Sequence, residues 1–193
     1  MTNNLLQSGS GCNENENHTP TSQALSLLSH GKKNRLPVII QNEVSECGLA
    51  CLAMIAGYYN NNVDLVSLRQ KYSVPITGAT LEWIMDVAGH LGFATRALRL
   101  ELSEVTKLHL PCILHWNMNH FVVLKKDKRN KFIIHDPVSG ERSISLSKLN
   151  KSFTGGALEL SPGPSFKRLP KKEPLSLSDL AGSIQGKDRK SNV

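Results

Sequence analysis

The stretch QNEVSECGLACLAMIAGYY, residues 41–59, is apolar at almost every position after Cys47. Because the apolar side chains lie on every face and not along one stripe, the stretch predicts a buried helix rather than a surface helix. We expect Ser45 to cap the start of this helix and Gly57 to end it. Cys47 then lies at the helix start, and Cys51 lies one turn further along the same face.

The segments on either side of this helix predict an α+β fold. Residues 38–40 suggest a short strand or an extended segment. Further helices are predicted at 64–72, at 80–91 before Gly92, and at 147–153. Strands are predicted at 94–100, 112–116, 120–125, 131–135 and 157–160. Helices that come first and strands that follow are typical of N-terminal helices packed on an antiparallel sheet.

Composition divides the chain into three parts. Residues 1–34 are rich in Asn, Ser, Gly and Thr and predict a disordered N-terminal extension. Residues 35–161 predict one folded domain, and residues 162–193 predict a basic linker or tail. Residues 161–193 hold seven basic and three acidic side chains, so they account for more than half of the net charge of +7. The central domain is therefore only mildly basic, and nucleic acid is not the expected partner.

The cysteines favour a reduced protein without a structural metal. Their positions (12, 47, 51 and 112) match neither paired zinc ligands nor a dense disulfide framework. We expect no metal and no cofactor. No secretion signal and no run of about 18 apolar residues is visible, so we expect the chain itself to be soluble.

Cys47 is the candidate nucleophile. A helix start carries partial positive charge, which stabilises the thiolate that cysteine chemistry requires. Gly48, the next residue, is interpreted as room for a substrate backbone to approach. The alternative is that Cys47 is simply a small buried side chain in a core helix, and for Cys51 that alternative is preferred.

His120 and Asp136 are the candidate base and its orienting acid. If the polar run 126–130 is the turn of a hairpin, then Leu124 lies opposite Phe132 and His120 lies opposite Asp136. Opposed side chains lie roughly 4.5–5.5 Å apart, which is close enough for the acid to hold the imidazole. The competing residues are His115, His135 and Asp127. The alternative roles are a structural histidine at a strand start and an aspartate that forms a turn.

Gln41 is the candidate oxyanion donor. Its side-chain amide lies six residues before Cys47, and with the Cys47 backbone N–H it would stabilise negative charge on a substrate carbonyl. Chemistry alone does not separate Gln41 from its neighbour Asn42.

Three motifs resemble one family. QNEVSECGLACLAMIAGYY (41–59), LPCILHWNMNHFVVL (110–124) and HDPVSG (135–140) resemble the peptidase domain of colicin V-type exporters. These are papain-like cysteine endopeptidases that process bacteriocins by cutting after a Gly-Gly pair that ends a leader peptide. The resemblance implies that Cys47 is the nucleophile, His120 the base, Asp136 the orienting acid and Gln41 the oxyanion donor.

The resemblance also implies partners and a location. The partners would be the Gly-Gly leader of a precursor peptide and the membrane and ATPase parts of an ABC exporter. The tail 162–193 would lead toward a membrane domain that this chain does not contain, at the cytoplasmic side of the bacterial inner membrane. The chain contains no GxxxxGK[ST] motif for ATP. The alternatives are a non-catalytic module that recognises leader peptides, another papain-like amidase, and a structural protein.

Overall fold

The computed structural model describes residues 34–75, 78–128 and 131–170. Most of the predicted N-terminal extension, and the predicted tail after residue 170, lie outside the described residues. Cys12 lies outside them as well. Within the described part of the chain, no helix is both long enough and apolar enough to cross a membrane.

Helix α1 (Cys47–Tyr58) is the buried helix that the sequence predicts, and every residue from Cys47 to Ala56 is buried. Both predicted ends were wrong. A 3₁₀ turn, Val44–Glu46, leads directly into α1, so the residue before the helix is Glu46 and Ser45 lies within the turn. The helix also continues past Gly57, where a Cβ atom would lie 2.8 Å from the Pro37 ring.

Two shorter helices cover α1. Helix α2 (Leu65–Lys71) and helix α3 (Leu81–His90) are capped by Asp64 and Thr80, whose side chains accept backbone N–H bonds in the first turn. The interpretation of Gly48 as room for substrate was wrong. A Cβ atom at Gly48 would lie 2.9 Å from the Ile84 side chain, so this glycine allows α1 and α3 to pack closely.

The sheet has six antiparallel strands in the order β1-β6-β2-β3-β4-β5. Between β1 and β2 lies a second 3₁₀ segment, Leu102–Lys107. The strands and the helix α4, which precedes the last strand, have the following bounds: β1 Phe93–Arg99, β2 Cys112–Trp116, β3 His120–Lys128, β4 Lys131–Asp136, β5 Gly140–Ser145, α4 Leu146–Ser152 and β6 Phe153–Pro162.

The core lies on both faces of this sheet. One cluster joins α1, α2 and α3 to side chains of β2, β3 and β6. A second cluster joins the other face to the 3₁₀ segment and α4. The predicted α+β class is confirmed. Strand β5 was not predicted, because four of its six residues are exposed and the strand is largely polar.

The register between β3 and β4 differs from the predicted one. Leu124 lies opposite Ile134 and not Phe132, which is a shift of two residues. Nearer the turn Phe132 lies opposite Asp127 instead of Leu124, which is a shift of three residues. A bulge between Leu124 and Lys126 accounts for the one-residue difference between the two shifts. A shift by an even number of residues keeps each side chain on its predicted face of the sheet. Because the bulge leaves a shift of two on the side that contains His120, the side chains of His120 and Asp136 still share one face.

The residues after β6 fold back on the domain. Phe166 lies against Phe93, with ring centroids 4.6 Å apart, and also against Tyr59. Gly92 takes a φ of +85°, and a Cβ atom there would lie 2.6 Å from the Phe166 backbone. Leu169 exchanges backbone hydrogen bonds with Asn60 and Asn62. Residues 163–169, which we expected to be linker, therefore pack on the domain.

We expect Phe166→Ala to lower the free energy of unfolding by about 1–3 kcal/mol, because it removes a half-buried ring from two aromatic contacts. Urea denaturation measures this loss. Lys167→Ala, an exposed neighbour, is the control and should change stability by less than about 0.5 kcal/mol. Equal stability of the two variants would mean that the segment does not belong to the folded unit.

Candidate active site

His120 and Asp136 meet at one end of the sheet. His120 is the first residue of β3 and Asp136 is the last residue of β4, so antiparallel pairing brings the two ends together. His120 Nε2 donates to Asp136 Oδ1 at 2.9 Å, and their side chains are only 17% and 9% exposed. The sequence analysis predicted correctly that His120 and Asp136 share a face of the sheet and lie close together. It was wrong in placing them directly opposite each other.

Asp136 is held by the turn that follows it. Its Oδ1 also accepts the Val138 backbone N–H at 2.9 Å, and its Oδ2 accepts the Ser139 hydroxyl at 2.7 Å. The two roles considered for Asp136, turn former and orienting acid, are therefore compatible. Burial favours the neutral acid, but the hydrogen bonds from His120, Val138 and Ser139, together with the charge of His120, outweigh burial and hold the pKa of Asp136 well below its ordinary value.

Cys47 lies close enough to His120 to act on the charge of its ring. Since Nε2 of His120 bonds to Asp136, Nδ1 is the ring nitrogen left for the sulfur. Burial disfavours the charged ring, but the hydrogen bonds and charges of Asp136 and Cys47 outweigh burial and raise the pKa of His120 to about 9. The imidazole is therefore positively charged at neutral pH, beside the Cys47 sulfur at a helix start.

The other described cysteines are placed as inert core residues. Cys51 is fully buried one turn along α1, and burial together with the neighbouring Cys47 raises the pKa of its thiol. Cys112, on β2, is also fully buried, and burial together with Glu159 raises its thiol pKa. Cys47 is itself only 3% exposed.

Gln41 links the segment that leads to Cys47 with the turn that follows Asp136. Its backbone N–H donates to the carbonyl of Pro137, the residue after Asp136, at 2.9 Å. Its side-chain Nε2 lies 3.4 Å from the Val44 carbonyl, so one N–H of the amide is used and the second is left for another acceptor. Asn42, the competing amide, is exposed.

Sequence reasoning missed the ion pair between Glu46 and Arg69. Glu46 is 1% exposed and accepts two side-chain N–H groups of Arg69, which lies on α2. It also accepts the backbone N–H groups of Asn42 and Glu43. The signal in the sequence was an acid directly before Cys47, a position where acids are common at any helix start.

The competing histidines and aspartate have other partners. His115 Nδ1 lies 2.6 Å from the Thr154 hydroxyl. His135 is fully buried between the Pro37 carbonyl and Glu141. Asp127 lies near the hairpin turn, opposite Phe132. Among the described residues, no group of three or more His, Cys, Asp or Glu side chains is arranged to hold a metal ion.

The site thus combines a cysteine sulfur, a charged imidazole and an acid, with the Gln41 amide on the segment that leads to the cysteine. A cysteine sulfur next to an imidazole that is oriented by an acid is the arrangement of nucleophilic catalysis at carbonyl carbon. A side-chain amide N–H is suited to hold the oxygen that becomes negative during such attack.

Comparison with known proteins identifies relatives by sequence. The sequence profile of the peptidase C39 family matches residues 35–165. The chain is 49% identical over 164 residues to the Escherichia coli colicin V secretion/processing ATP-binding protein CvaB. The match covers 85% of this chain and 24% of CvaB. It is 46% identical, with the same coverage, to the probable microcin-H47 secretion/processing ATP-binding protein MchF of Escherichia coli. The chain thus spans about a quarter of these curated relatives.

A solved structure gives the same result for the fold. The crystal structure of a double glycine motif protease from an AMS/PCAT transporter, in complex with the leader peptide, superimposes with a TM-score of 0.63 at 37% identity. The match covers 69% of this chain and 96% of that one. The expectation of a papain-like fold is confirmed.

We expect His120 to titrate near pH 9 in the intact protein, because the paired Asp136 and Cys47 favour the charged ring. Asp136→Asn should move its pKa down toward about 6.5, the value of a free histidine. NMR titration of the ring protons measures both values. A His120 signal that Asp136→Asn leaves unmoved would contradict the assigned pair.

Proposed function

Because this chain belongs to the peptidase C39 family, whose members are cysteine peptidases, we propose that Cys47, His120 and Asp136 form its catalytic triad. The observation that carries the proposal is the placement of His120, which hydrogen-bonds Asp136 at 2.9 Å and lies close enough to Cys47 for the cysteine to act on its charge. The reaction is hydrolysis of a peptide bond through an acyl-enzyme.

The first half of the reaction forms a thioester. Cys47 attacks the carbonyl carbon of the bond to be cut as the thiolate of an ion pair, in which its proton already lies on the charged His120 ring. Gln41 Nε2 and the Cys47 backbone N–H donate to the oxygen that becomes negative. The charged His120 ring then gives its proton to the departing nitrogen, and the carbon–nitrogen bond breaks. Asp136 keeps the ring oriented and balances its charge throughout.

The second half releases the product. His120, now neutral, accepts a proton from a water molecule that attacks the thioester carbon. The carbon–sulfur bond breaks, and the N-terminal fragment leaves with a new carboxylate. Cys47 and His120 return to their starting forms, so no cofactor is consumed.

The proposed substrate is a precursor peptide with a leader that ends in Gly-Gly. Two observations support it: Cys47 is only 3% exposed, and the similar protease described above is one that acts on a double glycine motif. A narrow opening admits a backbone without Cβ atoms more readily than one with side chains. We further propose that the precursor is a bacteriocin or microcin, as the names of the two Escherichia coli relatives suggest.

The proposed setting is a peptide exporter. Both relatives are secretion/processing ATP-binding proteins, and this chain matches about a quarter of each. We propose that the domain works with the membrane and ATPase parts of an ABC transporter, joined to them or as a separate chain. It would then act at the cytoplasmic face of the inner membrane, where leaders await export.

We expect Cys47→Ala to abolish cleavage of a synthetic precursor with a Gly-Gly leader, because no other described thiol touches His120. Mass spectrometry of the products should show one cut after the second glycine with the unmodified protein. Cys51→Ala is the matched control, since it removes a thiol from the same helix face, and should leave the cut intact.

The outcomes separate the alternatives. Cleavage by the Cys47→Ala protein would refute the nucleophile. Binding of the leader by the unmodified protein without any cut would indicate a recognition module, and cleavage of simple amides but not of the leader would indicate another amidase.

We expect Gln41→Ala to lower kcat by about 10²–10³-fold and to change KM little, because the amide is needed most when charge develops on the oxygen. Steady-state kinetics with the same peptide measure both constants. Asn42→Ala, which removes the neighbouring exposed amide, should keep kcat within about two-fold. If the two variants behaved alike, Gln41 would not be the oxyanion donor.

A further inference from the structure

The turn that connects Gln41 to Cys47 is organised around one buried carboxylate. Glu46 is 1% exposed, and its Oε2 accepts the backbone N–H groups of Asn42 and Glu43, each at 3.1 Å. The same oxygen accepts Arg69 Nη2 at 3.0 Å, and Oε1 accepts Arg69 Nε. Four donors therefore converge on a carboxylate located between the two residues assigned to the reaction.

This arrangement keeps the carboxylate charged. Burial favours its neutral form, but the Arg69 hydrogen bond and the two backbone N–H groups outweigh burial and lower the pKa of Glu46. A buried ion pair is seldom the most stable way to fill a core, because removing two charges from water is costly. Its benefit lies in geometry, since a charged carboxylate with four donors fixes the position of every group bonded to it.

The bonds of Glu46 fix both ends of the turn. At one end they hold Asn42, whose neighbour Gln41 is tied by its backbone N–H to Pro137. At the other end Glu46 directly precedes Cys47 and is the residue from which α1 begins. Arg69 connects this turn to α2, which packs on α1.

We propose that Glu46 and Arg69 are positioning residues that keep the Gln41 amide aligned with the Cys47 thiol and backbone N–H. The inference rests on the peptidase function proposed above, which gives Gln41 and Cys47 their roles. Oxyanion donors act within a narrow range of distances, about 2.7–3.1 Å from the charged oxygen. A displacement of about 1 Å costs on the order of 10²-fold in rate.

The proposal makes the effect of Glu46 depend on Gln41. In Glu46→Gln, an amide NH₂ group replaces one acceptor oxygen and faces N–H donors, so the turn relaxes without a change in side-chain size. If Glu46 acts by aligning the Gln41 amide, its loss matters only while that amide is present. A general loss of stability would instead reduce activity equally in both backgrounds.

The test is a double-mutant cycle with the Gly-Gly precursor peptide as substrate. We expect Glu46→Gln to lower kcat by about 10–100-fold, with KM within about two-fold, in the otherwise unmodified protein. In the Gln41→Ala background the same change should lower kcat by less than about three-fold. Equal losses in the two backgrounds, or no loss at all, would overturn the proposal.

Glu159→Gln is the matched control. Glu159 is also a buried carboxylate, and it accepts hydrogen bonds from the Arg96 guanidinium and from the backbone N–H of His109. It lies on β6, in a pocket that Arg96 and His109 also line. Glu159→Gln should leave kcat within about two-fold even if it lowers the melting temperature. If Glu46→Gln fails to fold, Arg69→Lys, which keeps the charge but loses one of two donors, replaces it in the cycle.

A second measurement decides the matter even if the protein cuts no Gly-Gly peptide. Hydrogen exchange at the Gln41 backbone N–H, which is bonded to Pro137, reports the position of the turn directly. We expect Glu46→Gln to accelerate this exchange at least 10-fold and Glu159→Gln to leave it unchanged. Unchanged exchange in Glu46→Gln would overturn the positioning role, whereas a failure to cut by the unmodified protein would refute only the peptidase function.

Discussion

The structure depends on the complete burial of α1. A helix that is apolar on every face must be covered on every face, and here the sheet covers one side while α2 and α3 cover the others. Burial of this kind leaves the helix no freedom to rotate or slide, since packed interiors resist even small displacements. The thiol on its first residue is therefore fixed relative to the end of the sheet, where His120 and Asp136 lie.

Two buried carboxylates complete the arrangement in different ways. Asp136 contacts His120 directly and so acts on the charge of the ring. Glu46 contacts no residue of the proposed triad through its side chain and acts on the backbone that leads to Cys47. Asp136 thus acts on a reacting group, whereas Glu46 acts on the backbone that positions one. The Gln41–Pro137 hydrogen bond links the two chain segments that contain these carboxylates.

Much of this was predictable from the sequence, and the omissions have physical causes. The buried helix and the strands β2 and β3 were predicted because their patterns are strong and uninterrupted. Strand β5 was missed because its residues are mostly polar. The hairpin register was wrong because the polar run 126–130 hid three further pairs: Lys126–Ile133, Asp127–Phe132 and Lys128–Lys131. The Glu46–Arg69 pair joins residues 23 positions apart, and no local pattern signals such a contact. The catalytic roles stay predictions until activity is measured.

The bulge between Leu124 and Lys126 has a consequence for changes in the length of the chain. It separates the outer part of the hairpin from the part that ends at His120 and Asp136, and the two parts differ in register by one residue. Peptide inserted at the tip, beyond Lys128, would extend the hairpin outward without altering which face His120 presents. Deletion of Lys125, the unpaired residue of the bulge, would join the two parts in one register, whereas deletion of a single residue between His120 and Leu124 would turn that ring to the other side of the sheet. The tip is accordingly the place to graft an affinity tag or a fluorescent reporter, and the part of β3 between His120 and Leu124 is the place to leave untouched.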